Sequence, residues 1–543
     1  MKKIFTLAMM LLFVGTMMAN WQPSDTQATQ LDAEGTSGQV QMKTLRTDDG
    51  KIILSWIRPE TTNGVFSYQL HLQIFDAQGN AMFGDEGIIV CDKRTHYWTT
   101  DYALKLAANG DILLAYTDIR NDPTEENSET YLYRYTQQGV PVWGVDGILF
   151  PSGKIHENAL SVEDLAPVIC VSGNNIYAAA NHTEYYKEKA NENNWTPTPW
   201  SPNMPDSVIL NEGKWLIKLI NDDGSVASEG VKEINSKTLI MEPSDDGKAY
   251  LVYDNEAFGL NAEMLDASLT NVWNDPVVIE EREIGSSIYI ATPLAEVNDY
   301  GRLMLSYRVL TDFYGYQVAN FVGANGEHAS DPLTLSGNID GDAGPAAMGV
   351  KEDLAFVAWE YAYSASEYRM NMNVVDDNNF YYWTDENIYG FTLETTDNWG
   401  YQPVKVIPVN DGWVVLYGRC TSWNGANFMV VKIDDDGAVL WSKQICEDNF
   451  KSNGFSVTYD DKYAYIFYTQ EPDYKAGNGG MFVMCVDIVG EMNSINDVNT
   501  GDEVLSTEIY TIDGRRVSSL ENGVNIVRTT YKNGKVTTTK VMR

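Results

Sequence analysis

Eight short apolar runs in the sequence end in an aromatic or, once, in alanine, and charged residues follow them within a few positions. The set is Arg58, Asp118 and Arg120, His182 and Glu184, Asp254 and Glu256, Arg308, Glu360, Arg419 and Glu471. Its four arginines (Arg58, Arg120, Arg308, Arg419) have the planar fork that grips a carboxylate or sulfate of an acidic glycan. Its acids, Asp118, Glu184 and Glu360 among them, are the residue types that share acid and base roles in glycoside hydrolysis. The same charges also fit a solvated rim of self-neutralising pairs. A second chemical feature is the insertion "NHTEYYKEKANENNWTPTPWSPNMPDS" at 181–207. It sets Tyr185, Tyr186, Trp195 and Trp200 beside prolines, where ring faces can stack on sugars or peptides, or pin the loop down.

Other chemistries lack their residues. The five histidines (His71, His96, His156, His182, His328) show no metal-ligand spacing, so no metal site is expected. No cofactor is implied; the acidity would tolerate Ca²⁺, but no run has EF-hand spacing to support it. No G-x-S-x-G or Walker loop occurs. A net charge of −38 argues against nucleic acid and against an anionic membrane surface. Binding of a glycan or protein is favoured over catalysis. The alternatives are a secreted polysaccharide-active hydrolase or lyase and a structural surface protein.

What could hold these residues in one place? Two elements interleave along the chain. One is a polar turn leading into an apolar run: "DDGKIILSW", "ANGDILLAY", "DDGKAYLVY", "DYGRLMLSY", "KEDLAFVAW", "NDGWVVLY" and "DDKYAYIFY", with "GNNIYAAA" a degenerate copy. The other is a G-x-x-x-aromatic turn, at Gly79–Phe83, Gly139–Trp143 and Gly437–Trp441, with looser copies at Leu269–Trp273 and Asn379–Trp383. Serine replaces the aromatic at Gly224–Ser228, Gly326–Ser330 and Gly490–Ser494. Asp-Gly and Asn-Gly pairs favour tight turns between antiparallel strands, and the runs after them are β-branched and aromatic. Each repeat of ~50–60 residues therefore holds about four strands, the pattern of a β-propeller blade. The fold class expected is all-β: a propeller over 38–497 with a small C-terminal β-sandwich over 498–543. Eight four-stranded blades are expected, near 38–97, 98–160, 161–237, 238–284, 285–340, 341–399, 400–449 and 450–497. Seven blades is the alternative, and a twin-sheet sandwich array the remaining one. In a propeller the loops after the second strands share one face, so the charged set and the Trp-rich insertion would lie together.

"MKKIFTLAMMLLFVGTMMA" pairs two lysines with an apolar run and a small residue, the pattern of a signal peptide over 1–19. No later run is long enough to span a bilayer, so the mature chain is expected to lack a transmembrane segment. Residues 20–37 are polar and read as disordered or as a closing strand. Five cysteines are scattered; Cys170, Cys420 and Cys485 read as buried, and a Cys420–Cys446 disulfide is left open.

The tail from Asp513 holds seven Lys/Arg against two acids. Its "IDGRRV", "NGVNIV" and "KVMR" match at Asp513, Gly514, Arg515, Arg516 and Val517, at Gly523, Val524, Ile526 and Val527, and at Lys540, Val541 and Arg543. Asn525 departs from the usual aromatic. The last ~45 residues thereby resemble the C-terminal (type A) sorting domain of the Bacteroidetes type IX secretion system. The body, with its "W-G-x-x-G-I" turns, is similar to propeller segments that precede such domains. The resemblance implies partnership with the type IX machinery, passage through the periplasm, and release or attachment at the outer cell surface. It implies Gly514, Arg515, Gly523 and Lys540 as parts of the sorting signal. The turns are not the S-x-D-x-G-x-x-W boxes of sialidase-like propellers, since the aromatic offset differs and the serine is missing. "DDGAVLW" resembles a quinoprotein turn, but that family's other repeat residues are absent and no quinone is inferred.

Overall fold

The computed structural model describes residues 28–31 and 40–489 apart from short segments, the longest being 382–390 and 471–479, and 504–542 apart from further short ones. The described residues contain strands and no helix. The chain divides into two units, 1–488 and 489–543.

In the first unit the strands form eight four-stranded antiparallel sheets. Seven are plain meanders: 40–91, 102–149, 159–234, 239–280, 289–334, 342–396 and 401–446. They are called here the first to seventh sheets. The eighth takes three strands from 450–487 and its outermost strand from Thr29–Gln30, with Thr29 opposite Val483 and Leu31 N–H bonded to the Met481 carbonyl at 2.8 Å. The first strand of each sheet touches the first strand of the next, and Phe450–Tyr459 returns to Val40–Arg46, where Thr44 Oγ1 meets Ser456 Oγ at 2.8 Å. The ring closes on itself, as in a β-propeller, and the eighth sheet joins the two ends of the ring's chain segment.

The second and third strands of each sheet lie between neighbouring sheets, so both faces are covered. That is why their sequences run continuously apolar instead of alternating. All seven residues of Ile112–Asp118 are buried, as are Ile52 to Ile57 and Gly412 to Gly418.

The turns follow from side-chain chemistry. Asp76 Oδ1 accepts the backbone N–H groups of Gln78 and Asn80 at 2.9 and 2.8 Å, and Asp266 and Asp434 repeat the pattern. This is the Asx-turn that makes Asp favourable there. The next requirement is a left-handed residue, supplied by Gly79, Gly139, Gly224, Gly326 and Gly437 at φ between 76° and 87°. Of the two copies without glycine, one forces Leu269 to φ 59°, and Asn379 of the other lies outside the described residues.

Six of the eight first strands carry a register shift, for example between Leu165 and Val168 and between Pro403 and Lys405. Such bulges bend the strand nearest the axis and re-aim its side chains. In the second unit the described residues form one four-stranded sheet, in the order Arg516–Val517, Val504–Thr511, Val524–Tyr531, Val536–Met542. The sequence suggests a sandwich there; a second facing sheet is not present among the described residues. Arg515 and the exposed Lys540 are described, whereas Gly514 and Gly523 lie outside the described residues.

Candidate functional site

The charged residues that follow the second strands share one end of the ring, but each is held by a local partner. Arg58 pairs with Glu86 and, at 3.3 Å, with Glu60. Asp118 is fully buried and receives Arg120 Nε at 3.0 Å and Nη2 at 2.6 Å. The same guanidinium lies 3.6 Å above the Tyr131 ring centroid, donates to the Asp146 carbonyl at 2.7 Å, and reaches the Tyr133 hydroxyl. Arg308 faces Asp342 at 3.8 Å, and Arg419 is bound by Glu394, which also accepts the Tyr417 hydroxyl at 2.7 Å. Asp254 accepts the N–H groups of Lys237 and Thr238 and closes the preceding linker. Glu360 accepts the Tyr401 N–H; burial raises its carboxyl pKa, and Asp342 adds to this against Tyr401 and Arg308. Glu256, Glu471 and Trp200 lie outside the described residues. The described arginines therefore occupy separate ion pairs around the rim, while Asp254 and Glu360 accept backbone N–H groups; these ion pairs and hydrogen bonds do not link the set into one pocket.

The third sheet departs from the others twice. At its base His182 Nδ1 lies 2.6 Å from Asp164 Oδ1, and Nε2 lies 3.3 Å from Glu184 Oε1; all three are buried. Asp164 also accepts the Ser152 hydroxyl at 2.8 Å, while Glu184 accepts the N–H groups of Ile155 (2.8 Å) and His156. Burial alone would lower the His182 pKa, but Asp164 and Glu184 outweigh it and raise it. Burial likewise works against the Glu184 carboxylate, and the two backbone donors and His182 still hold its pKa below the usual value. With side chains at most 1% exposed, the triad clamps the linker into the third sheet and offers no surface to a substrate.

The second departure is length. The insertion read as a loop over 181–207 is strand as far as Lys189 and resumes at Ser207. Beyond His182, the hairpin adds the seven pairs from Thr183–Gly213 to Lys189–Ser207. At ~3.3 Å per residue it projects roughly 20 Å past the level at which the second sheet's hairpin ends, at Asp118–Glu129. Ile209 is 67% exposed on it, His156 stacks on Tyr186 at 3.8 Å, and the half-buried Trp195 sits past Lys189. The β-branched and aromatic residues Thr183, Tyr185, Tyr186, Val208 and Ile209 were the available strand signal; the prolines between them masked it.

The sequence reading passed over the axis. Lys105, Glu242, Glu296 and Lys405 sit on the first strands of the second, fourth, fifth and seventh sheets. Lys105, Glu242 and Glu296 pair with Leu113, Tyr250 and Met304, each three residues before the second-strand aromatic, so they share one level of the ring. Burial drives the Glu242 pKa up to about 7, with Glu296 adding to it and Lys105 and Lys405 opposing. The Glu296 carboxyl is raised by burial against the same two lysines. These sheets are not all neighbours, so the mutual influence runs across the axis. A charge in the middle of a weak first strand was the signal available.

A cavity of about 410 Å³ opens at the end of the ring opposite the charged rim, among the turns between first and second strands. Asp299, Glu352, Asp435, Asp460 and Asp461 line it together with Lys351 and Tyr459. Lys351 is bound by Asp435 at 2.7 Å, and Asp460 by Arg46 at 3.3 Å. Among the described residues, no group of three or more His, Cys, Asp or Glu could hold a metal ion. Cys91, Cys170, Cys420 and Cys485 are free thiols, and the side chain of Cys446 lies outside the described residues. No helix of the described residues is long and apolar enough to cross a membrane.

The architecture defines a propeller-fold protein. No family model and no curated protein matches the chain. Among solved structures it is similar to a puromycin hydrolase, at 14% identity and TM-score 0.39 over 84% of this chain and 62% of that one. It is also similar to a protein of unknown function from Dyadobacter fermentans DSM 18053 (9% identity, TM-score 0.36, 85% of this chain and 98% of that one). A third is the polysaccharide lyase Uly1 (10% identity, TM-score 0.37, 71% of this chain and 89% of that one). The chain spans less than two thirds of the length of the puromycin hydrolase. The likeness in each case is one of fold.

Proposed function

We propose that this protein is an exported, non-catalytic propeller that binds a glycan or a protein, delivered by the type IX route to the outer cell surface or the medium. The observation that carries the binding role is the projecting hairpin of the third sheet. Ordering the outermost pairs, from Lys187–Ile209 to Lys189–Ser207, gains little core, yet it holds the exposed Ile209 and the half-buried Trp195 past the base formed by Tyr186. The rim charges support binding over hydrolysis, because Asp118 and Glu184 are committed to Arg120 and His182. Export rests on the N-terminal leader pattern and on the C-terminal resemblance.

The test is an array of glycans and of surface proteins probed with the full chain and with a variant in which 186–210, which holds Tyr186, Trp195 and Ile209, is replaced by a two-residue turn. Binding that is lost in the variant is expected. Ligands that bind both equally, or no ligand at all, would remove the hairpin from the account.

A second reading is favoured by one residue. Glu360 is a carboxyl raised by burial, with Asp342 adjacent and Arg308 facing it, which suits a general acid in polysaccharide cleavage. Turnover on a glycan panel that disappears in Glu360→Gln would establish it, and a panel without turnover would dismiss it.

A further inference from the structure

Three places outside the rim carry chemistry: the acidic cavity, the apolar outer strands, and the axis. The acids of the cavity do not by themselves make a site, and nothing seats a partner on the exposed Val140, Val145 and Leu149. The axis carries more.

Glu242 and Glu296 stand on adjacent sheets, the fourth and fifth. Lys105 and Lys405 stand on the second and seventh, which flank the eighth and first. In a closed ring of eight, the arc between the lysines is centred opposite the arc of the glutamates. The axis is therefore negative on one wall and positive on the other. All four side chains are half-buried, so solvent reaches them. Among the described residues none makes an ion pair within 4.0 Å, although their charges influence one another across the axis. Charges so placed are desolvated without the direct partner that normally compensates. The rim differs: there every described arginine has its acid.

The cavity and the axial charges share one neighbour. Tyr459 lines the cavity, and the Glu296 carboxylate acts on the same tyrosine's phenol, whose pKa is raised first by burial. The five acids around the cavity, two of them paired with Lys351 and Arg46, give that end of the ring a negative field that attracts amines and repels simple anions.

We propose that the axial channel is a binding site for a small zwitterion, a free amino acid or short peptide, held with its ammonium on Glu242 and Glu296 and its carboxylate toward Lys105 and Lys405. A ligand with both charges replaces the missing ion pairs on both walls at once. A diamine meets the lysines unfavourably, and a dicarboxylate meets the acidic cavity and the glutamates.

The experiment is isothermal titration of the full chain with glycylglycine, cadaverine and glutarate. Saturable binding of glycylglycine is expected, with cadaverine and glutarate at least tenfold weaker. Glu296→Gln and Lys405→Met, both close in size to the originals, should each weaken glycylglycine at least tenfold. Melting curves without ligand verify that the variants fold; if one does not, the order of the three ligands on the unaltered chain still decides. Cadaverine binding as tightly as glycylglycine would overturn the proposal in favour of a plain cation site. Absence of binding by all three, or folded variants with full affinity, would overturn it as well. The hairpin is untouched by these variants, so failure here leaves the array experiment unaffected.

Discussion

The indole of Trp143, in the second sheet, lies against the α-carbon of Gly224 in the third. A Cβ on Gly224 would stand 3.2 Å from Trp143 Cδ1 and 3.3 Å from Nε1. The indole N–H donates to the Asp222 carbonyl at 2.9 Å. The pair recurs around the ring. A Cβ on Gly139 would meet Phe83 of the first sheet at 2.8 Å, and one on Gly326 would meet Trp273 of the fourth at 3.2 Å, where the Trp273 N–H donates to Ala324. In these three turns the glycine seats the preceding sheet's aromatic, and the turn at Gly139 also offers its own Trp143 to the next.

Trp143→Ala should therefore cost about 3 kcal/mol of stability, the usual loss for a buried aromatic. Gly224→Val should cost a similar amount, about 2–3 kcal/mol, from a left-handed backbone and the displaced indole. Denaturant midpoints of both single variants and of the double variant check this. The double loss should fall short of the sum by about 1 kcal/mol or more, since either change breaks the same contact. Additive losses would show that the two residues act independently.

Arg120 is predicted to act on stability. With Asp118 wholly buried, Arg120→Met leaves an uncompensated carboxylate and should cost about 3–5 kcal/mol. Adding Asp118→Asn should recover part of that. If Arg120→Met instead melts like the parent and only ligand binding falls, Arg120 belongs to an open site.

These relationships explain what was legible in the sequence. The turns were, because an Asx acceptor and a left-handed residue leave few choices, and the interleaving of Gly79–Phe83 with "DDGKIILSW" reports the strand order. The shared side of Arg58, Asp118 and Arg308 was legible too, since it follows from counting strands. What each guanidinium touches was not, because Glu86, Asp342 and Glu394 come from other strands or sheets at separations the repeat does not encode. The axial charges were missed because first strands are the weakest copies, and six of the eight carry a register shift. A shift of one residue reverses which side chains face inward. The strand at Thr29–Gln30 is two residues long and has no pattern to read.

His182 gives a pH prediction with a definite sign. Its folded pKa is raised above the ordinary 6.5 by Asp164 and Glu184, against the effect of burial. The stabilisation it provides is complete below pH 6.5 and is lost as pH rises through the folded value. The melting-temperature gap between the parent and His182→Gln should therefore be widest near pH 6 and narrow towards pH 9. At pH 6 the variant should lose about 3 kcal/mol, because two buried acids no longer share a cation. A gap constant with pH would mean that His182 stays neutral throughout.

Glu242, whose folded pKa is also raised, predicts a loss of stability with rising pH as well, the reverse of the usual carboxylate case. Its pKa is raised to about 7, chiefly by burial, whereas an unfolded glutamate titrates near 4.5. Between those values the folded chain keeps a proton that the unfolded chain has released, so stability falls as pH rises through this window. Above pH 7 the full cost of a charged, poorly solvated carboxylate is present. Glu242→Gln removes the cost and should leave the fold on the order of 2 kcal/mol more stable at pH 8, after allowance for channel water. At pH 4.5 the two proteins should melt alike. Thermal unfolding of both at these two pH values checks the sign. A variant less stable than the parent at pH 8 would show that Lys105 and Lys405 more than compensate the burial of Glu242, and that the axis is a finished ion-pair network with no vacancy for a ligand.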